Sequence, residues 1–259
     1  MSATKNVVAV IPAHMASVRF PGKILFPFFG LPMIEHVRRR ALLCTAINRV
    51  VVATCDEEIA QAIRQYGGEV VITANTHTNG SSRVAEAISA IECSHVIVLQ
   101  GDEPLMIPDH LDQLVASIDS HPDAAAWNAT GSIENMDELD RHSFVKCAVN
   151  HDGNILYCFR RSPGYSDPEI QKTYIRKILG IFAYRKEFLL KLVDLAPGII
   201  EQAEFIEQMR ILEYGYKLQS VPVQPSLPSV NEPAEANIIV EYLESHSAQK
   251  ALLEKILSE

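Results

Sequence analysis

The strongest constraint on the fold is a rhythm of short, continuously apolar, β-branched runs separated by helix-length segments. Val7–Ile11 (VVAVI), Arg49–Thr54 (RVVVAT), Glu69–Thr73 (EVVIT) and His95–Leu99 (HVIVL) each read as a strand. Runs that do not alternate with polar residues suit strands covered on both faces of a parallel sheet. Between them, Met33–Ala46 places Met33, Ile34, Val37, Ala41 and Leu42 at helical spacing, with Pro32 in the first turn and Arg38, Arg39 and Arg40 mostly outward. Glu57–Tyr66 reads as a second helix closed by Gly67-Gly68, and Val84–Ile91 as a third. Strand and helix alternating this closely predict an α/β fold built on a doubly wound, mostly parallel sheet, whose ligands sit at the carboxyl ends of the strands.

Those ends carry the chemistry. Pro12 biases Ile11 towards an extended conformation and removes a donor, so the first strand is expected to end at Ile11. The loop that follows holds Ser17, Arg19, Gly22 and Lys23: a hydroxyl, two cations and a residue that allows close backbone approach. Neither GxxxxGK[ST] nor GxGxxG is present, so composition leaves two readings open, a phosphate cradle or a plain strand-to-helix connection with solvated cations. The polar stretch Thr76–Arg83 (THTNGSSR) runs into a helix start, where Ser81 or Ser82 serves as a cap or the free amides hold a base or phosphate. His95–Leu99 delivers Gln100, Gly101, Asp102, Glu103 and Pro104. Asp102 is the candidate magnesium ligand, since that ion takes one or two carboxylates plus substrate phosphates; a turn residue or helix cap is the other reading.

The second half is less regular. Asp109–Ser120 reads as a helix and Ala124–Thr130 as a strand, and Val145–Val149 pairs with Ile155–Phe159 around the turn His151-Asp152-Gly153-Asn154. Arg160 and Arg161 follow, before a polar loop to Lys172; they suit either bidentate grip of a carboxylate or a solvated edge. Leu179–Tyr184 is strand-like and Lys186–Leu192 helical. Glu201–Leu212 is expected to be one amphipathic helix with Phe205, Ile206, Met209 and Leu212 on one side and Glu204, Glu207 and Gln208 on another arc. After a strand at Tyr216–Val223, Pro225, Pro228 and Pro233 mark an irregular crossing before terminal helices over Ala234–Leu257.

At 259 residues, the chain is expected to form a single domain: a nucleotide-binding half over 1–130, an acceptor and dimerisation part over 131–225, and the crossing with its helices over 226–259. With 47% hydrophobic and 21% charged residues it has ordinary globular composition, and a net charge of −9 argues against nucleic acid or an anionic membrane surface as partner. The five cysteines form no CxxC pair and no even framework, which reads as buried thiols in a reducing cytoplasm. No secretory leader or membrane-spanning run is read.

The ordered blocks IPAHMASVRFPGK, GLPMIEHV, VVATCDEEIA, NGSSRVAEA and LQGDEPLMIP resemble the 3-deoxy-manno-octulosonate cytidylyltransferases, the CMP-Kdo synthetases. VKCAVNHDGNILYCFRRSP, LGIFAYRKEFL and EQMRILEYG extend the resemblance across nearly the whole chain. It implies a Rossmann-like nucleotidyltransferase fold with a small antiparallel insertion, and a cytoplasmic, magnesium-dependent homodimer that joins CMP from CTP to an acidic sugar. It further implies that Arg19, Lys23 and Asp102 are catalytic, and that Pro12, Ala13, His14, Ser17, Arg19, Lys23, Ser81, Arg83 and Gln100 hold the nucleotide. Arg160, Tyr184, Glu207 and Gln208 would hold the acceptor, and Asp102 and Asn231 the metal. The chain departs from the family where His14 replaces an arginine, where Val230-Asn231-Glu232-Pro233 replaces Val-Asp-Thr-Pro, and where Ile178 replaces a histidine. These departures keep in view a relative acting on another small acid, and a non-catalytic nucleotide-binding or assembly protein.

Overall fold

A computed structural model describes residues 5–258; the chain's first four residues, where a leader would begin, and its last residue lie outside the described residues. The chain divides into two compact units, Met1–Asp112 with Leu227–Glu259 and Gln113–Ser226.

The first unit is the alternating α/β part. In chain order it contains β1 (Val7–Ala13), the short hairpin β2 (Pro27–Phe28) and β3 (Leu31–Pro32), α1 (Met33–Leu42), β4 (Arg49–Thr54), α2 (Glu57–Gln65), β5 (Glu69–Ile72), α3 (Gly80–Ser89) and β6 (His95–Leu99). Its four longer strands pair in the order β6-β1-β4-β5, all parallel, as the unbroken apolar runs require, while β2 and β3 pair antiparallel. Every residue of β1 is buried. Contrary to expectation, β1 continues through Pro12 to Ala13. Pairing with β6 stops at Val10↔Val98, so Pro12 pairs with β4 alone among the described strands, and a strand open on one side tolerates a missing donor. After Leu227, α10 (Glu235–Ser245) and α11 (Ser247–Leu257) complete this unit.

The arginines of α1 correct the second expectation. Arg38, Arg39 and Arg40 are buried, because the helix packs on several sides and each cation finds an inward partner. The fully buried Glu35 carboxylate accepts from Arg38 Nε at 2.8 Å and Nη2 at 2.6 Å, and from Arg39 Nε at 2.8 Å. The same guanidiniums reach helix ends, Arg38 donating to Tyr66 O at 3.2 Å and Arg39 to Ile256 O at 2.6 Å, which satisfies carbonyls that a helix terminus leaves open. Arg40 donates to Met106 O at 3.1 Å, and burial pulls its guanidinium down to about 10. Pro32 stands at the N-cap of α1 rather than within its first turn.

The second unit is mixed. Its strands β7 (Ala126–Ser132), β8 (Lys146–Val149), β9 (Ile155–Phe159), β10 (Ile175–Arg185) and β11 (Leu218–Pro222) pair as β11-β7 parallel and as β7-β10, β10-β8 and β8-β9 antiparallel. The β8–β9 hairpin turns where the sequence predicts, with Gly153 at φ +77°, a conformation that favours glycine. The helix α4 (Pro108–Ser120) spans the boundary between the units, and α5 (Asp137–Asp140), α6 (Pro168–Tyr174), α7 (Lys186–Asp194), α8 (Ile199–Glu204) and α9 (Gln208–Glu213) complete the element order. Two expectations fail here. Part of the loop before Lys172 is α6, capped by the Asp167 carboxylate accepting from Glu169 N at 2.8 Å. The single helix over Glu201–Leu212 is instead two short helices, interrupted at Phe205, which has a φ of 54° and is 84% exposed. Helical spacing gives a periodicity but no signal for one residue stepping into the left-handed region.

The α/β class with a largely parallel sheet and a smaller antiparallel part is therefore the observed architecture.

Candidate active site

The carboxyl ends of β1 and β6 open into a cleft of about 680 Å³, and all its lining residues belong to the first unit. Pro12, Ala13, His14, Ser17, Arg19 and Lys23 form one side of it, as the strand-to-loop reading implies. The loop is braced by Asp56 just after β4, whose Oδ2 accepts from Met15 N at 2.8 Å. Gly22, at φ +69°, turns the chain into a short 3-10 helix, Lys23–Leu25.

Lys23 and Asp102 meet at the centre. Lys23 Nζ donates to Asp102 Oδ2 at 2.6 Å and to Val230 O at 2.8 Å, and Val230 N donates to Asp102 O at 3.0 Å. The side chains are 15% and 26% exposed, so the pair is shielded from bulk water yet open on one side. Gly101 makes this approach possible: a Cβ there would lie 2.5 Å from Ile24 Cδ1, next to Lys23. The turn after Asp102 is held from within the unit by Arg40 on Met106 O and by Gln249 Nε2 on Leu105 O at 2.8 Å.

Arg19 leans on the C-terminal crossing. Its Nη2 donates to Asn231 Oδ1 at 3.1 Å, and Nη1 lies 4.0 Å from Glu232 Oε1. Glu235 fixes that crossing by accepting from Asn231 N at 2.5 Å and Glu232 N at 3.0 Å. Lys23, Asp102, Arg19 and Asn231 are thus gathered from positions far apart in sequence.

The remaining nucleotide candidates are placed unevenly. Gln100 lines the cleft opposite Gly80. Arg83 also lines it, but it is buried, with Nη1 donating to Thr73 Oγ1 at 2.6 Å and Ala74 O at 3.3 Å. Ser81 is not among the lining residues, and the cap of α3 is neither serine: Asn79 Oδ1 accepts from Ser82 N at 2.8 Å. Sequence reasoning did not single out Asp56, Asn75 and His77, which also border the cleft. For His77, the signal was Glu86 on α3, four residues after Ser82 and hence on the same helix face.

The four acceptor candidates fall in the second unit. Arg160 is committed to main chain: Nε donates to Glu204 O at 3.0 Å, Nη2 to Phe205 O at 3.1 Å and Nη1 to His142 O at 3.1 Å. It thereby pins the break between α8 and α9, after which Glu207 and Gln208 follow. Gln208 turns inward, donating to Asn128 Oδ1 on β7 at 3.3 Å. Tyr184 is buried on β10, its ring stacked on Phe188 with centroids 6.5 Å apart.

A parallel sheet that delivers a cationic loop from one strand and a lysine-paired carboxylate from its neighbour to a shared cleft has the ligand crevice of a doubly wound α/β fold. The chain belongs to the cytidylyltransferase family, CTP-dependent nucleotidyltransferases, whose model matches residues 8–218. It is 33% identical over 249 residues to a 3-deoxy-manno-octulosonate cytidylyltransferase of Geobacter metallireducens, covering 92% of this chain and 98% of that one. It is 37% identical over 238 residues to an 8-amino-3,8-dideoxy-manno-octulosonate cytidylyltransferase of Shewanella halifaxensis, covering 90% and 96%. The structure of a CMP:2-keto-3-deoxy-manno-octonic acid synthetase complexed with CTP superposes with a TM-score of 0.87 at 33% identity, over 95% of this chain and 100% of that one.

Proposed function

We propose that this chain transfers CMP from CTP to the anomeric hydroxyl of a 3-deoxy-octulosonate-type acidic sugar, 3-deoxy-manno-octulosonate or a modified relative such as its 8-amino form, releasing pyrophosphate. The observation that carries this reading is the cluster of Lys23, Asp102 and Arg19 at the strand ends of a chain that matches relatives of both names along nearly their full length. The sugar hydroxyl oxygen attacks the α-phosphorus and gives up its proton to solvent, as the bond from that phosphorus to the oxygen bridging the β-phosphate breaks and pyrophosphate leaves. Lys23 and Arg19 offer fixed positive charge where negative charge shifts towards the leaving pyrophosphate, and the cleft walls hold the reactants in line.

The reading includes magnesium: the Asp102 carboxylate would hold it, with the neutral Asn231 oxygen as second contributor. Among the described residues there is no cluster of three or more His, Cys, Asp or Glu side chains suited to a metal. Magnesium does not need one, because water and substrate phosphates complete its shell. When bound, it offsets charge on the phosphates. Replacing Asn231 by aspartate adds a charge, so Asn231→Asp is expected to lower the magnesium concentration for half-maximal activity; an unchanged requirement removes position 231 from the site. The protein is further proposed to act in the cytoplasm as a homodimer, and sedimentation at the mass of one chain would sink the dimer.

The deciding experiment is incubation with CTP, magnesium and a panel of acids, including both octulosonates, read by pyrophosphate release. Silence across the panel, with CTP binding intact by calorimetry, would leave a nucleotide-binding protein instead of a transferase.

A further inference from the structure

We propose that His77 is a positioning residue for the nucleotide, a latch that fixes the Asn75–Gly80 wall of the cleft onto α3. The inference rests on the cleft being the CTP site.

Apart from a turn at Asn75–Thr76, that wall has neither helix nor strand before α3 begins, so its shape depends largely on side chains. His77 lies at the centre of the lacing. Its Nδ1 is 3.1 Å from Ser82 Oγ, and its Nε2 pairs with Glu86 Oε2 one turn further along the same helix face. Glu86 accepts from Ala74 N as well, at 3.0 Å, and the hydrogen bond from His77, with that from Ala74 as the smaller contribution, holds its carboxyl below the usual range. The Glu86 carboxylate can only accept, so Nε2–H donates to it, while the Ser82 hydroxyl lies 3.1 Å from both Nδ1 and Asn79 O and links the ring to the main chain of the wall. With the ring accounted for at both nitrogens, and its side chain only 16% exposed, one residue ties the wall to the helix at two points. Arg83, another charged group beside this wall, donates to Thr73 and Ala74, and its charge adds to the lowering at Glu86 after the contributions of His77 and Ala74.

The clearance that the latch sets is narrow. A Cβ on Gly80 would sit 3.2 Å from Pro12 Cγ and 3.3 Å from Gln100 Nε2, so the wall faces those two residues at close range. Gly80 thus packs against both, and because all three line the cleft, where Gly80 is held sets the edge that a nucleoside meets there. Releasing His77 lets the wall drift and lowers affinity without touching Lys23, Arg19 or Asp102.

The test is CTP affinity measured by calorimetry with magnesium and without acceptor, alongside thermal melting of the ligand-free proteins. His77→Asn keeps a polar group near Ser82 but is too short for Glu86. Its dissociation constant for CTP is expected to rise about 10-fold, the lower range for removing a group that orients a ligand-binding element, with an unchanged melting temperature. Glu86→Gln is expected to weaken CTP in the same direction, and the double variant to be no weaker than His77→Asn alone. His77→Gln, whose longer amide reaches Glu86, is expected to recover part of the loss. Tighter CTP binding by Glu86→Gln would mean that its negative charge alone acts on the nucleotide, and would overturn the latch. Wild-type affinity in His77→Asn, or additive losses in the double variant, would do the same. Failure of the unaltered protein to bind CTP removes the reading of the cleft itself, whereas equal binding by all variants removes the latch alone.

Discussion

At the scale of single residues, a carboxylate takes one of two unlike roles depending on where it is buried. Asp102 is shared between the Lys23 ammonium and open solvent, which leaves an oxygen available to a ligand. Asp102→Asn keeps the shape and removes the charge. Turnover is expected to fall about 100-fold or more, on the scale of deleting one electrostatic group at a reacting centre, with an unchanged urea midpoint; near-normal turnover would remove Asp102 from the chemistry. Glu35, by contrast, is fully buried and holds two guanidiniums. Glu35→Gln leaves buried positive charge without its counter-ion, so a stability loss of about 3 kcal/mol is expected in urea unfolding. A loss below about 1 kcal/mol would mean that the arginines re-pair with the carbonyls they already reach.

At the scale of elements, α1 holds the β2–β3 hairpin, which starts two residues after the Lys23–Leu25 turn, through His36. Its Nε2 lies 2.7 Å from Phe28 O and its ring meets the Phe28 ring edge-on, with centroids 6.0 Å apart. Burial pulls the imidazole from 6.5 down to about 4, so the folded ring is neutral and Nε2–H is the donor. The unfolded chain takes up a proton near 6.5 and the folded chain only near 4. Stability from this group is therefore complete above about pH 6.5 and declines as pH falls towards 4, by up to about 3 kcal/mol. His36→Gln, which can donate to Phe28 O without titrating, is expected to flatten this part of a pH series of urea melts; an identical slope would place the acid sensitivity elsewhere. The same scale shows why one helix became two. Phe205, Ile206, Met209 and Leu212 do keep helical spacing, yet Phe205 is exposed while Ile206 and Met209 are buried, because Arg160 gathers the carbonyls of Glu204 and Phe205 and stops the helix there.

At the scale of the whole molecule, the cysteines report how completely the chain is packed. Cys147 and Cys158 face each other across the β8–β9 register, and both are free thiols. Burial pushes Cys147 up to about 12 and Cys158 well above its usual value, while burial and the Asp112 carboxylate push Cys44 up to about 12. Since the thiolate is the reactive form, Cys55 and Cys93 are expected to react with a disulfide reagent before unfolding, and Cys44, Cys147 and Cys158 only at the rate of opening. Rapid labelling of all five would contradict the packing described.

The parallel strands, the cationic loop that follows β1 and Asp102 at a strand end were legible in sequence, although β1 outlasts Pro12, because continuous β-branched runs are local signals. The inward arginines of α1 were not: whether a cation on a helix faces water depends on which helix ends come to meet it. Nor was Arg160 as a brace, since its partners are main-chain carbonyls that carry no side-chain signature. Local patterning was enough for the parallel strands and the helices between them, the family and the residue types available at the strand ends. Only the tertiary structure decided which of those groups pair, placing Val230 and Asn231 against Lys23 and Arg19 and His77 against Glu86. Hydrogen bonds and ion pairs act over a few ångströms, and the chain brings such partners within that range only after the sheet and its helices have packed.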